Sequence, residues 1–474
     1  MPEHITLPLP SLLRSSFPPY DAQAARAAQE VLDRNHQTYH VFFNERGLHN
    51  HAAHHILAAL QLGCAPSSFA QHLEKAEEYL LNPDWKLHRN PKDQGAKGSI
   101  EQHNWTEHLG KHDWYWHYLA FFESQIKEKG GAACLEEFVF GEKANEKQVA
   151  MLGRFIGGAL HPFIHTGYGF EFGLDGIVAE GLAMTAMTEP RFAAVLPPRP
   201  TGDKTASTSN SGTTANGLKT DEPLSVFSIL SLAYVDKRLD ISHHSDDDKF
   251  APLLEPQAAA LLNEYTSRWH ISEDDVGHPD LLTIRGGSAG KWTELIWVVV
   301  LLLGATSRPG KQLRHDFFLM HAHNATLFLP SLLPQLTIAS RIKLLDALWR
   351  TIFTYWVARG RPVFYIEGTL LESTTEPVKP TAAQHNDEHA AKALRSLIHY
   401  AEHLSHTPAG TFSLPSGIKD AVQGREVFPG LEKLDGTAFI RTAGQLLQNQ
   451  GWPGEEKENW DFEGLGYDEA WQSG

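Results

Sequence analysis

Cysteine is nearly absent, Cys64 and Cys134 being the only two in 474 residues. Two cannot make a disulfide framework or a four-cysteine metal site, and such scarcity points to a reducing compartment. Basic residues are also in deficit, with 41 Lys and Arg against 57 Asp and Glu and a net charge of −16. A surface for phosphate backbones needs the opposite balance, and no basic run occurs, so nucleic acid is not an expected partner. Long apolar runs are missing as well. The longest, Leu295 to Ala305, has 11 residues, whereas a membrane-spanning helix needs about 20. The opening MPEHITLPLP has no basic stretch leading into an apolar one, so it does not read as a secretory signal. The expectation is a soluble, cytoplasmic protein with no membrane segment.

Several cofactor motifs are missing too. No Gly-x-Gly-x-x-Gly follows a strand pattern, which leaves a Rossmann-bound flavin or nicotinamide without a home. Gly286 to Trp292 resembles a phosphate loop but is one residue short, and Trp292 stands where Ser or Thr must reach magnesium. No Glu-x-x-His pair is present, which disfavours a ferritin-like di-iron site. His-x-Asp occurs at His244, His278 and His385. The facial-triad oxygenases that use this motif are usually built on β jelly rolls. The adjacent pairs His112-Asp113 and His315-Asp316 leave a helical, HD-like metal-dependent hydrolase as an alternative.

What remains is a chain with 42% hydrophobic and 21% charged residues, the composition of a folded globular protein. Length alone suggests about three domains, but helical periodicity recurs throughout and β signals are sparse. The reading is all-α, with residues 1–474 forming a single large helical core. Residues 201–221 (TGDKTASTSNSGTTANGLKTD) have almost nothing to bury and read as a flexible surface insertion.

The spacing predicts a first helix over Tyr20 to Asn35 with Asp21 as its N-cap. Ala53, Ile56, Leu57 and Leu60 define the core face of a second, ended by Gly63, with Pro66 opening a third over Ser67 to Leu81. Further helices are expected over Leu224 to Ala233, Glu255 to Tyr265 and Trp292 to Leu303. Trp105, Trp114, Tyr115, Trp116 and Tyr118 read as core packing, with a flat-substrate pocket as the other reading.

Histidine is plentiful, with 27 residues, and it is clustered. HNHAAHH spans His49 to His55, HPFIH spans His161 to His165, and HDFFLMHAH spans His315 to His323. A fourth segment, DEHAAKALR, places His389 and Lys392 three residues apart on one helix face. His161 and His165, four apart, would address one point if helical, a common way to present two imidazoles to a metal. Taken singly, each histidine of the first cluster reads as a polar flank of an ordinary helix, but three on one turn and a half are harder to dismiss. For His161 and His165 a hydrogen-bonded polar core is as good a reading as a metal, and a non-catalytic protein with structural histidines remains an alternative. Together the four segments read as one metal-centred site.

HNHAAHHILAALQLG, GGALHPFIHTGYGFEF, DFFLMHAHNATLFLPSLLP and DEHAAKALRSL occur in this order, and the stretch from about residue 35 to 405 resembles the questin oxidase-like family of fungal polyketide pathways. Its members are often named Baeyer-Villiger oxidases. The resemblance implies oxidative ring cleavage of an anthraquinone-type polyketide by dioxygen, as oxygen insertion or dioxygenase-type cleavage, with NADPH as reductant. It also implies a non-haem iron held by four histidines and a lysine carboxylated on its side-chain nitrogen; no flavin is expected, because the sequence shows no fold to bind one. Carried onto this sequence, His389 and Lys392 are the last pair, and His54, His161 or His165, and His321 supply the rest. His54, His321, His389 and Lys392 are thereby the candidate catalytic residues. Within each crowded cluster, ligand and supporting partner are not distinguished by sequence.

Overall fold

The computed structural model describes residues 21–44, 46–80, 98–146, 148–196, 223–241, 249–277, 290–373, 385–422, 424–452, 457 and 459–472. The insertion expected at 201–221 lies outside them, as do nearly all of the loop after the third helix and His244 and His278.

The fold is all-α. Among the described residues the only sheet is a two-residue parallel pair, His315–Asp316 against Trp460–Asp461. The first helix, Ala22–Thr38, starts where Asp21 accepts a hydrogen bond from the Gln23 backbone N–H at 2.9 Å. Its buried face repeats at Ala24, Ala28 and Leu32 and then continues into two polar residues, Asn35 and His36. The helix thus runs three residues past the expected end and carries His36 inside. The second helix, Ala52–Gln61, is buried along its whole length and closes through Gly63, whose φ of 85° lets the Cys64 N–H reach back to the Ala59 carbonyl at 2.9 Å. Helices at Ser68–Leu80, Val226–Val235, Pro256–Thr266 and Lys291–Gly304 match the expected ones to within about two residues at each end.

One contiguous apolar core runs from Ala24 to Leu447. Each Leu, Ile or Phe side chain taken from water into it contributes about 1.5–3 kcal/mol, and that supports the polar residues buried within. Four helices define the interior around the histidines: Ala52–Gln61, His161–Phe172, Phe317–Thr326 and Glu388–Leu404. They form a closed ring in which each touches two of the others. His161–Phe172 is packed tightly on Asp175–Met187. Gly169 and Gly181 allow this, since a Cβ on Gly181 would run into Thr166 and one on Gly169 into the Val178 backbone.

Candidate metal centre

Four imidazoles, His51, His161, His321 and His389, bring ring nitrogens to within 4.8 Å of one another, and all four residues are buried. One comes from each helix of the ring or its first flanking residue, and the local sequence explains each placement. His389 sits in the first turn of Glu388–Leu404, whose N-cap is Asp387: Oδ1 accepts from the backbone N–H groups of His389 and Ala390 at 2.7 and 3.1 Å. Phe317–Thr326 begins the same way, with Asp316 Oδ1 accepting from Phe318 and Leu319 at 2.9 and 3.1 Å while its other oxygen holds buried Arg359 at 2.7 Å. His51 precedes Ala52–Gln61, and Asn50 fixes that entry by accepting from the Ala52 N–H and donating to Asn35, both at 2.9 Å.

His161 is placed by strain. Gly158, Ala159 and Leu160 have φ values of 52°, 52° and 64° immediately before the helix starts. Left-handed backbone at a non-glycine residue costs on the order of 1–3 kcal/mol and persists only where the surroundings enforce it. Here it swings the His161 ring into the ring of helices.

The four rings are oriented alike, two by hydrogen bonds and two by close contact with carboxylates. The Nδ1–H of His161 donates to the Gly158 carbonyl, and that of His321 to the Phe317 carbonyl, each at 2.7 Å. His389 Nδ1 lies 3.5 Å from Asp387 Oδ1, and His51 Nδ1 lies 3.5 Å from Glu388 Oε1. Each Nδ1 therefore faces an oxygen, which leaves Nε2 as the bare nitrogen. The Nε2 atoms of His321 and His389 have no hydrogen-bond partner, and those of His51 and His161 face each other at 2.7 Å. Two lone pairs at that distance repel, and a buried unsatisfied acceptor costs about 1–3 kcal/mol. A cation among the four nitrogens would remove both penalties. Burial, then neighbouring imidazoles and Lys392, hold His51, His161 and His321 well below the usual histidine range, so each is neutral, the form that ligates a metal.

Lys392 stands one turn beyond His389 and is 1% exposed, and its Nζ has no partner. Burial lowers its pKa from the ordinary 10.5 to about 8, against the opposing pull of Glu388 and Asp387. After burial, its charge is among the influences that lower His49, His51, His54, His161 and His321.

Of the expected site residues, His161, His321 and His389 come together, joined by His51 rather than His54. The His54 ring lies beside those of His51 and His161, with centroids 5.8 and 6.2 Å away, but its Nε2 pairs with His165 Nδ1 at 3.0 Å. His165 Nε2 pairs in turn with Glu180 at 2.6 Å, Glu180 with His36 Nδ1 at 2.5 Å, and His36 Nε2 with Glu123 at 3.0 Å. Burial would raise the Glu180 carboxyl, but His165 and His36 outweigh it and bring it down to about 2. Burial likewise lowers His36, yet Glu123 and Glu180 raise it to about 9. Ionised Glu180 thus accepts from His165 Nε2–H, His165 Nδ1 accepts from His54 Nε2–H, and His54 Nδ1 remains bare beside the four-histidine group.

Sequence reasoning passed over Glu180, although it is the one charged residue in the apolar run Ile177 to Met187, which was a usable signal. Of the HD-like pairs, Asp316 is spent on its helix cap and Arg359, and His315 Nδ1 on Asn449 at 3.1 Å.

A cavity of about 510 Å³ opens onto the site, with His51 and His389 in its wall beside Tyr79, Phe317, Trp460 and Phe462. That volume falls in the range of small-molecule pockets. Phe317 packs against His321, His389 and Phe462 with ring centroids 4.6, 4.9 and 4.6 Å away, and Phe462 is 55% exposed. Trp460 Nε1–H donates to Asp387 at 2.8 Å, tying the cavity wall to the cap beneath His389. The Trp105 to Tyr118 aromatics are core or near-core residues and do not line this cavity.

The sequence pattern of the questin oxidase-like family matches residues 48–397, a span that contains all four histidines and Lys392. The chain is 28% identical to the Baeyer-Villiger monooxygenase AacuH of Aspergillus aculeatus, over 97% of this chain and 92% of that protein. It is 26% identical to a questin oxidase of Aspergillus terreus, over 94% and 92% of the two chains. It is also 26% identical to the oxidoreductase AflY of Aspergillus parasiticus, over 80% and 73%. The chain belongs to the questin oxidase-like family of oxidoreductases.

Proposed function

We propose that this chain is a single catalytic unit that cleaves a ring of an anthraquinone-type polyketide oxidatively, using dioxygen at one non-haem iron. The observation that carries the reading is the inward convergence of four buried imidazoles, together with the buried, unpartnered amine of Lys392 one helical turn beyond His389. His51, His161, His321 and His389 would hold the iron, which supplies redox activation of dioxygen. Nitrogen donors from imidazole suit iron, copper and zinc alike, and relatives named oxidases and monooxygenases favour the redox-active choice.

Lys392 supplies the missing negative charge in this reading. Its amine, with a pKa lowered to about 8, is still mostly protonated around physiological pH but carries a far larger neutral fraction than a solvated lysine. A neutral amine adds CO2 and releases one proton, giving an anionic carbamate beside the cation.

The aromatic walls at Tyr79, Phe317, Trp460 and Phe462 hold a flat substrate by stacking and exclude water from the His51 and His389 edge of the site. His54 Nδ1 takes up or returns a proton there, and its Nε2–H, bonded to His165 and through it to ionised Glu180, orients the ring and stabilises the charge that forms on it. In oxygen insertion, one oxygen atom enters a ring bond beside a carbonyl and the other leaves as water, with two electrons from NADPH and one proton consumed. In dioxygenase-type cleavage both atoms stay in the product and no external reductant is needed.

The test is oxygen uptake by the purified protein with a hydroxyanthraquinone, with and without NADPH, under 18O-labelled dioxygen. Substrate-dependent uptake with label in a ring-opened or ring-expanded product is the expected result, one labelled atom for insertion and two for dioxygenation. No uptake with any anthraquinone or its reduced form would overturn the assignment.

A further inference from the structure

A second cavity, of about 490 Å³, is lined by three arginines, Arg308, Arg361 and Arg425, with Tyr234, Tyr365 and Asp468. Set against a chain of net charge −16, this concentration of positive charge is out of character. We infer that the cavity binds a phosphate-bearing ligand.

The three guanidinium groups play different parts. Arg361 shapes the wall: Nη1 donates to the carbonyls of Ala233, Tyr234 and Asp236 at 2.8, 3.2 and 2.8 Å, and Nη2 pairs with Asp240. It does so from a left-handed backbone, φ 53°, next to Gly360 at φ 80°. The turn is locked from the other side, since the Gly466 N–H donates to the Arg359 carbonyl at 3.0 Å and a Cβ on Gly466 would strike Gly360. Strained backbone at a non-glycine residue marks places where the fold enforces a conformation, and such places cluster at ligand sites.

Arg308 and Arg425 are the groups left to bind. Arg425 is exposed and has no side-chain hydrogen bond or ion pair among the described residues. Arg308 pairs with Asp468 at 2.8 Å, but the Asp468 side chain is 84% exposed, so water competes for the pair and an anion can displace it at little cost. All three arginines line the same cavity as Tyr234 and Tyr365. Guanidinium forks with tyrosine hydroxyls recognise the oxygens of phosphate, through paired charge-assisted hydrogen bonds.

The site also bears on the histidine cavity. Leu465, Gly466 and Asp468 in its wall continue the segment whose Trp460 and Phe462 wall the other cavity. Leu465 comes three positions after Phe462, at most about 11 Å of chain. The inference does not depend on the iron or the substrate proposed above.

The experiment is calorimetric titration of the full chain, at constant ionic strength, with inorganic phosphate, pyrophosphate and 2′,5′-ADP. Wild type is expected to bind at least one of them, with affinity at least tenfold weaker in Arg308→Ala and Arg425→Ala and unchanged in Arg26→Ala, an exposed arginine elsewhere. Preference for 2′,5′-ADP would identify a nucleotide as the source and preference for the inorganic anions free phosphate. Absence of binding by all three, or equal binding by wild type and Arg425→Ala, would overturn the inference.

Discussion

At the residue scale the decisive comparison is His51 with His54. They are three positions apart, yet His51 Nε2 faces His161 Nε2 at 2.7 Å while His54 Nε2 is taken by His165. Replacing His51, His161, His321 or His389 by Ala is expected to cut bound metal by tenfold or more without unfolding the chain. His54→Ala is expected to keep most of the metal and to lose turnover. Elemental analysis of each purified variant with circular dichroism checks both, and a metal-free His54→Ala beside a fully loaded His51→Ala would reverse the assignment. Lys392 carries a separate expectation. Carbon-13 NMR of the native protein in labelled bicarbonate should show one carbamate signal that Lys392→Ala abolishes together with metal, while Lys392→Glu restores part of the metal. A spectrum without that signal returns the site to histidines alone.

At the scale of elements, the buried chain between the Asp175–Met187 helix and the first helix should be visible in the pH dependence of stability. His36 has its pKa raised to about 9 by Glu123 and Glu180 after burial has lowered it. A raised folded-state value stabilises the protein fully below the unfolded value of about 6.5, and the gain is lost as pH rises through about 9. Its size is on the order of 3 kcal/mol at one pKa unit per 1.4 kcal/mol. Thermal melts of wild type should therefore fall between pH 6.5 and 9, and those of His36→Gln should start lower and stay flatter across that window. Parallel curves would show that His36 is not charged in the fold.

The same scale shows what the sequence could disclose. Asp21 before an alanine-rich run, Gly63 after Leu60, and the apolar block at Leu295 to Leu303 signalled helices because cap chemistry and 3.6-residue periodicity are local. The strained turn at Gly158 to Leu160 was not legible, since only packing by distant residues makes it hold. Nor was the choice of His51 over His54, because helical spacing puts both beside the core face and their partners, His161 and His165, lie more than a hundred residues away. The cavity aromatics escaped notice for a similar reason. Phe462 reaches Phe317 only through the parallel pairing of Trp460–Asp461 with His315–Asp316.

For the whole molecule, a ring of four helices gathers imidazoles from segments that span residues 51 to 389, so the site forms only once the chain has folded around it. Among the described residues no helix is long and apolar enough to cross a membrane. The measurement that tests the account most directly is metal analysis of the purified protein together with its visible spectrum. The account predicts about one iron per chain and no flavin. A yellow, flavin-containing protein without metal would contradict it.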